Sequence, residues 1–289
     1  MIKDNLKTFV SAALLATSLV SAQNPTTKCY DLKMFVSRGT GENATYYGVT
    51  ETLVKGIKRK IDGSDYEAIK YPATDDNPNY FASAANGTRL LKEAMRNYTE
   101  ACPDSKIALF GYSQGAQITS NIVCGSPAVW AAYGGFADVN AQFDEIIDFA
   151  SPLPQEDFKN VISVVLFGDT THRDDAPYNY GNSTGSGIFW RSDISGCKGL
   201  GSRIRSYCTA GDPFCDVGKY VNLNAHIKYI EDYGDEVAEY VVDQYKSGGN
   251  SSENSTDSPS STPVPESVGT NIIPSCAFVL IATFAMLWL

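Results

Sequence analysis

Apolar positions along the chain fall into two alternating rhythms. Leu32 to Val36, Tyr66 to Tyr71, Ile107 to Phe110, Val161 to Phe167 and Arg203 to Tyr207 are short runs that read as strands of a buried sheet. Helical stretches fall between and after them, around Val49 to Ile61, Tyr80 to Tyr98, Gln114 to Val123 and His226 to Tyr245. In the third of these, Ala116, Ile118 and Ile122 recur at roughly helical spacing. Strand followed by helix, repeated, predicts a mostly parallel sheet covered on both faces. The expected fold class is therefore α/β, a three-layer sandwich with a central five-stranded sheet and no internal repeat. Ligand sites in such sheets lie at the carboxyl ends of the strands.

The two ends break this rhythm. Lys3 and Lys7 precede an apolar run from Phe9 to about Val20, and Val20-Ser21-Ala22 offers small residues for cleavage. Residues 1–22 thus read as a signal peptide, and 23–246 as the folded domain. Residues 247–271, SGGNSSENSTDSPSSTPVPES and its continuation, hold few apolar residues and read as a disordered, Ser/Thr/Pro-rich stalk open to O-glycosylation. Residues 272–289 are apolar to the end with no basic cluster after them, the pattern of a GPI-attachment signal; a tail-anchored membrane helix is the alternative. Asn250, Ser258 and Ser260 all suit the attachment site.

Composition adds to the expectation of secretion. Sequons of the form N-x-S/T occur at Asn43, Asn86, Asn97, Asn182, Asn250 and Asn254. Of seven cysteines, Cys276 lies in the apolar tail, which leaves an even number for disulfides in an oxidising compartment. With no CxxC pair and only two histidines, a metal site is not expected. The net charge of -10 argues against a nucleic-acid partner, which requires a basic face.

The candidate chemistry centres on FGYSQGA. Gly111-Tyr112-Ser113-Gln114-Gly115 follows a strand and opens a helix, so glycine permits a sharp turn that lifts the Ser113 hydroxyl above the sheet edge. Amides at the start of that helix point toward any oxyanion formed there. A serine hydroxyl needs a base within hydrogen-bond reach, and the base needs an orienting carboxylate. His226, in NLNAHIKYI, leaves room before it for an acid, and YCTAGDPFC offers Asp212 between Cys208 and Cys215. Taken alone, Asp212 could simply begin a stapled surface turn. Serine, acid and histidine in that order form the set expected of a nucleophile-elbow hydrolase. His172, in GDTTHRDD, is the expected bystander.

GYSQGA, the YCxxxDPxC loop, the later AH of His226 and SRGTGE after the first strand together resemble the cutinase family of serine esterases, over about Cys29 to Lys246. The family includes cutinases and acetylxylan esterases. The resemblance implies a small, lidless α/β-hydrolase-type sheet, a Ser113-Asp212-His226 triad with no cofactor, and an oxyanion hole of the Thr40 and Gln114 amides. Thr40 stands where cutinases commonly carry serine. It also implies the pairings Cys29 with Cys102, Cys208 with Cys215 and, as in acetylxylan esterases, Cys124 with Cys197. The implied partner is an ester-bearing plant polymer, cutin or acetylated xylan, or small esters. DPFC, YPA and the Cys124 and Cys197 pair resemble the acetylxylan esterases, whereas Val221 and Leu223 offer an apolar rim for longer acyl chains or else belong to the core. A secreted, surface-anchored monomer is expected. The alternative is a non-catalytic adhesion or recognition protein on an esterase scaffold, which predicts a degraded triad.

Overall fold

The computed structural model describes residues 27–43, 47–76, 79–126, 151–218 and 220–249. The expected leader and apolar tail lie outside the described residues, as does the expected stalk from Asn250 on, with Asn254; its first residues, 247–249, are described, and Ser247 ends the last helix.

Six strands form one sheet: β1 (Leu32–Ser37), β2 (Ser64–Ala68), β3 (Lys106–Tyr112), β4 (Val161–Phe167), β5 (Asn179–Gly181) and β6 (Ile204–Cys208), in the order β2-β1-β3-β4-β6-β5. Every ladder between them is parallel. This corrects the expected five. The added strand, β5, is three residues of an edge, Asn-Tyr-Gly, half-buried to exposed, with Gly181 at positive φ ending it. So short an edge has neither an apolar run nor an alternation to betray it.

The second strand is also displaced from Tyr66 to Tyr71 and spans Ser64–Ala68. Ile69 and Tyr71 are buried, as their apolarity suggests, but beyond Ala68 the carbonyls of Ile69, Tyr71 and Pro72 turn to the Arg38 guanidinium. The helices are α1 (Glu51–Lys60), α2 (Tyr80–Ala101), α3 (Gln114–Cys124), α4 (Leu223–Ile227) and α5 (Tyr229–Ser247). The single last helix expected from His226 onward is thus two, separated at Lys228.

Strand periodicity divides the core cleanly. Phe35, Ile107, Leu109, Val164 and Leu166 pack into one apolar cluster with Leu91 and Met95 of α2 and Ile118 and Ile122 of α3. Their neighbours Leu32, Met34, Val36, Phe110, Val165 and Phe167 face the other way, against Val54 and Ile57 of α1 and Val237 and Val241 of α5. Burial of side chains of this size contributes about 1.5 to 3 kcal/mol each, an upper bound given a compact unfolded chain.

Three disulfides pin the layers, in the pairing that the resemblance implies. Cys29–Cys102 ties the chain before β1 to the end of α2, and Cys124–Cys197 ties the end of α3 to the stretch preceding β6. Cys208–Cys215 closes the loop leaving β6.

The glycines around Ser113 have a different role from the one expected. Neither Gly111 nor Gly115 has positive φ; Ser113 itself does, at φ 53°, ψ -121°. What the glycines supply is proximity. A Cβ on Gly115 would collide with the carbonyls of Ser37, which ends β1, and of Arg38 just after it, and one on Gly111 with the Gly115 carbonyl. Helix α3 therefore starts pressed against the end of β1. We expect Gly115→Ala to force these elements apart and to cost about 2 to 3 kcal/mol. Urea unfolding checks this, and a change within about 0.5 kcal/mol would show that the contact relaxes freely.

Candidate active site

The carboxyl ends of β1, β3, β4 and β6 release four loops onto one edge of the sheet, and the candidate residues meet there. Ser113 caps the N-terminus of α3 in its strained conformation, its N–H donating to the Phe167 carbonyl at the end of β4 (2.9 Å). Such a positive φ on a non-glycine residue costs of order 1 to 3 kcal/mol and persists only where the surroundings over-determine it. The close seat of α3 on β1 and the bond to β4 are those surroundings. The result directs Oγ to within 3.0 Å of His226 Nε2. His226 Nδ1 in turn lies 2.8 Å from Asp212 Oδ2.

Each of these groups is positioned by several contacts. Asp212 is fully buried, and its Oδ1 accepts from the Phe214 and Cys215 amides at 2.8 and 3.4 Å. Its Oδ2 also accepts from the Tyr229 hydroxyl at 2.6 Å. Burial alone would push the Asp212 carboxyl up; the hydrogen bond and charge of His226, with the Tyr229 hydroxyl and the Phe214 amide, outweigh it and hold the carboxyl below its ordinary value. The imidazole is flanked by the Phe214 ring at 4.5 Å and the Tyr112 ring at 5.2 Å, and the Tyr112 hydroxyl donates to the His226 carbonyl. Gly168, at φ 59°, faces the imidazole; a Cβ there would sit 2.9 Å from Cε1.

The β1 loop carrying Thr40 is clamped. Glu42 Oε2 accepts from the Gly39 amide (2.7 Å) and Oε1 from the Val49 amide (2.8 Å). Arg38 is buried, donating to the carbonyls of Glu42, Ile69, Tyr71 and Pro72, while the Gly41 amide donates to Ala73. Gln114 is locked too, its side chain accepting from Ser83 Oγ (2.9 Å) and donating to the Thr74 carbonyl (3.0 Å). Its N–H stands at the first position of α3, where a helix offers no internal acceptor. A serine, an imidazole and a carboxylate in line, beside a helix N-terminus, can pass a proton from hydroxyl to ring and bind a developing oxyanion. Among the described residues, no group of three or more His, Cys, Asp or Glu could hold a metal ion.

Other residues at this edge were not singled out by the sequence pattern. Asp216 accepts from the Thr184, Gly185 and Gly211 amides and so fastens the acid loop to its neighbour. Tyr229 lies at the start of α5, beyond the break at Lys228 after His226, and its hydroxyl reaches the same Asp212 oxygen. His172 is placed elsewhere. It is buried between Ser206 Oγ (3.4 Å) and Ser183 Oγ (3.2 Å), and burial lowers its pKa against the opposing effect of nearby aspartates, led by Asp169. Val221 and Leu223 are 70% and 50% exposed, so neither belongs to the core.

Comparison with known proteins agrees with this architecture. A family model described as Cutinase matches residues 28–245. The chain belongs to the cutinase family. Acetylxylan esterase of Hypocrea jecorina is 32% identical over 280 residues, covering 94% of this chain and 86% of its own. Cutinase 11 of Verticillium dahliae is 32% identical over 243 residues, covering 82% and 75% respectively. The catalytic core domain of acetyl xylan esterase from Trichoderma reesei is a structural neighbour with a TM-score of 0.62 and 30% identity, covering 75% of this chain and 100% of that one. Family membership makes this cutinase-family chain a serine esterase by class.

Two outcomes are expected. His172→Ala should cost about 1 to 3 kcal/mol of stability through lost hydrogen bonds and a cavity, yet leave ester turnover per folded molecule within about twofold. Turnover collapsing in a folded variant would give His172 a part in the reaction. The second concerns acid. A carboxyl whose pKa is depressed by folding stabilises the fold above its unfolded pKa, and that contribution is lost as pH falls through the folded value. Between about pH 5 and 2, the urea midpoint of the wild type should fall more steeply than that of Asp212→Asn; parallel slopes would contradict the depressed value.

Proposed function

We propose that this protein hydrolyses carboxylic esters through an acyl-enzyme on Ser113. The observation that carries this reading is the unbroken line from Ser113 Oγ through His226 to Asp212, at 3.0 and 2.8 Å. Ser113 Oγ attacks the ester carbonyl as its proton passes to His226 Nε2. The carbonyl electrons move onto oxygen, where the Thr40 and Gln114 amides receive them, each such donor lowering the barrier by roughly 3 to 4 kcal/mol in comparable sites. As the intermediate collapses, the C–O bond to the alcohol breaks and the imidazolium returns its proton to the departing oxygen. Water then repeats the sequence, leaving the carboxylic acid and free serine. Asp212 keeps the proton on Nδ1 of the resting ring and stabilises the imidazolium. A non-catalytic adhesion protein has no need of this geometry, and the intact constellation argues against that alternative.

The substrate we infer is an acetylated polysaccharide of the xylan type. Support comes from the acetylxylan esterases among the relatives and structural neighbours, one of them alignable over nearly the whole chain. A second reading, longer acyl chains as in cutin, is favoured by one observation: Val217, Tyr220, Val221, Leu223 and Ile227 are all more than half exposed or nearly so, on the segment that leads to and past His226. Such clustering beside a candidate site suits an apolar ligand surface. We also propose that the enzyme acts outside the cell, tethered through its C-terminus; the three disulfides are consistent with an oxidising compartment.

Both readings are tested by rates on esters of increasing acyl length, with Ser113→Ala as the blank. Ser113→Ala and His226→Ala should lose about a thousandfold or more in kcat while remaining folded. Substantial turnover by folded Ser113→Ala would refute the acyl-enzyme. Activity confined to acetyl esters supports the polysaccharide; activity that persists to butyryl and longer chains, and drops in Val221→Ser with Leu223→Ser, supports the polyester.

A further inference from the structure

The Tyr229 hydroxyl has no place in the relay of proton transfers above, yet it makes one of the shortest side-chain contacts at the site. It lies 2.6 Å from Asp212 Oδ2, the same oxygen that His226 Nδ1 approaches at 2.8 Å. The hydroxyl is itself held: it accepts from the Thr209 amide at 3.2 Å, which leaves its proton for the carboxylate, and it lies 3.2 Å from Cys215 Sγ of the loop disulfide. Its ring is wholly buried, stacked on Tyr233 at 6.2 Å and tilted against Phe167 at 5.9 Å. Gly168 leaves room for both side chains, since a Cβ there would come within 3.0 Å of the Tyr229 ring as well as of the imidazole. Burial first, and the Asp212 charge second, raise the phenol pKa, so the group remains a donor.

We infer that Tyr229 is a positioning residue for the reaction: it shares Asp212 Oδ2 with His226, fixing the carboxylate's rotation and drawing charge from the oxygen that faces Nδ1. This rests on the reading of Ser113, His226 and Asp212 as the reacting set. Two consequences follow from having two donors on one oxygen. The carboxylate cannot turn about its Cβ–Cγ bond without giving up both contacts. Part of its charge is also committed to the phenol, so the imidazolium is stabilised less than by a carboxylate bonded to histidine alone. Other ionisable groups around the pair are Asp216 in the same loop, Tyr233 on α5, Tyr112 on β3 and His172 after β4. Asp216 accepts three amides, and burial holds His172 below its ordinary pKa.

Tyr229→Phe removes the hydroxyl and keeps the ring. It should lower kcat about tenfold, a typical loss for a hydrogen bond to a charged group, with KM changed less than about twofold. The acid limb of kcat/KM should move up by about half a pH unit as charge returns to the oxygen facing His226. Replacing Tyr229 with 3-fluorotyrosine, a stronger donor of the same shape, should keep kcat near wild type and move the limb down. If Tyr229→Phe does not fold, the direction of the fluorotyrosine shift decides alone. An unmoved acid limb in every folded variant, with wild-type kcat, would reduce Tyr229 to packing. Ser113→Ala and His226→Ala measured in parallel separate the two ideas. Their retaining turnover would remove the underlying reading, whereas their inactivity beside an unaffected Tyr229→Phe would remove only this one.

Discussion

A carboxylate with no exposed surface is the constraint around which this end of the molecule is organised. Leaving Asp212 charged and unpaired in the interior would cost several kcal/mol. The chain avoids this by surrounding it with the Phe214 and Cys215 amides, the Tyr229 phenol and the His226 ring. Satisfying the charge fixes the geometry at the same time. The amides come from the loop that Cys208–Cys215 closes, so the acid loop folds around its own side chain. The other two donors come from the start of the last helical region, so that loop and helix are tied at the carboxylate. On the proposed acyl-enzyme reading, proton transfer from Ser113 needs little further reorganisation, because the orienting charge is already in place.

The second fixed point is the strained serine. Positive φ at Ser113 is disfavoured locally, and no local sequence preference pays for it. The tertiary contacts do: α3 is seated against the β1 carbonyls because Gly115 has no side chain, and the Ser113 amide is bonded across to β4. The β1 loop carrying Thr40 is held by a separate set of contacts, in which Glu42 accepts from two backbone amides and Arg38 donates to four carbonyls. Three loops from three strands are thus immobilised independently, and the sheet sets the distances between them.

Much of this was legible before any coordinates. The central strands β3 and β4 are continuous apolar runs because both faces are buried, and such runs announce themselves. Ser113, Asp212 and His226 could be proposed together from their order: Ser113 and Asp212 follow the ends of β3 and β6, and His226 lies on α4 beyond the acid loop. What escaped has physical reasons. β5 is too short and too exposed to carry a pattern. The true extent of β2 depends on which backbone groups Arg38 captures, a contact across 31 residues or more that no local window contains. The glycines of the elbow were read as sources of backbone freedom, but they serve close approach, a distinction that only the neighbouring strand reveals. Asp216 and Glu42 resemble ordinary surface acids in sequence; their partners are amides, and amides leave no trace in composition.

The same division explains why chemistry is easier to read here than substrate. Ser113, Asp212 and His226 are buried and held by contacts from several elements, and the sequence patterns around them are distinctive. Val221, Leu223 and Ile227, by contrast, are exposed and contribute little burial. Replacing them with polar residues costs the fold almost nothing, and no structural requirement ties their identity to the elements that carry them. Yet they sit on the segment that carries His226. The exposed stretch beside His226 is therefore the part of the chain that stability constrains least, and it is there that sequence patterns say least about the ligand.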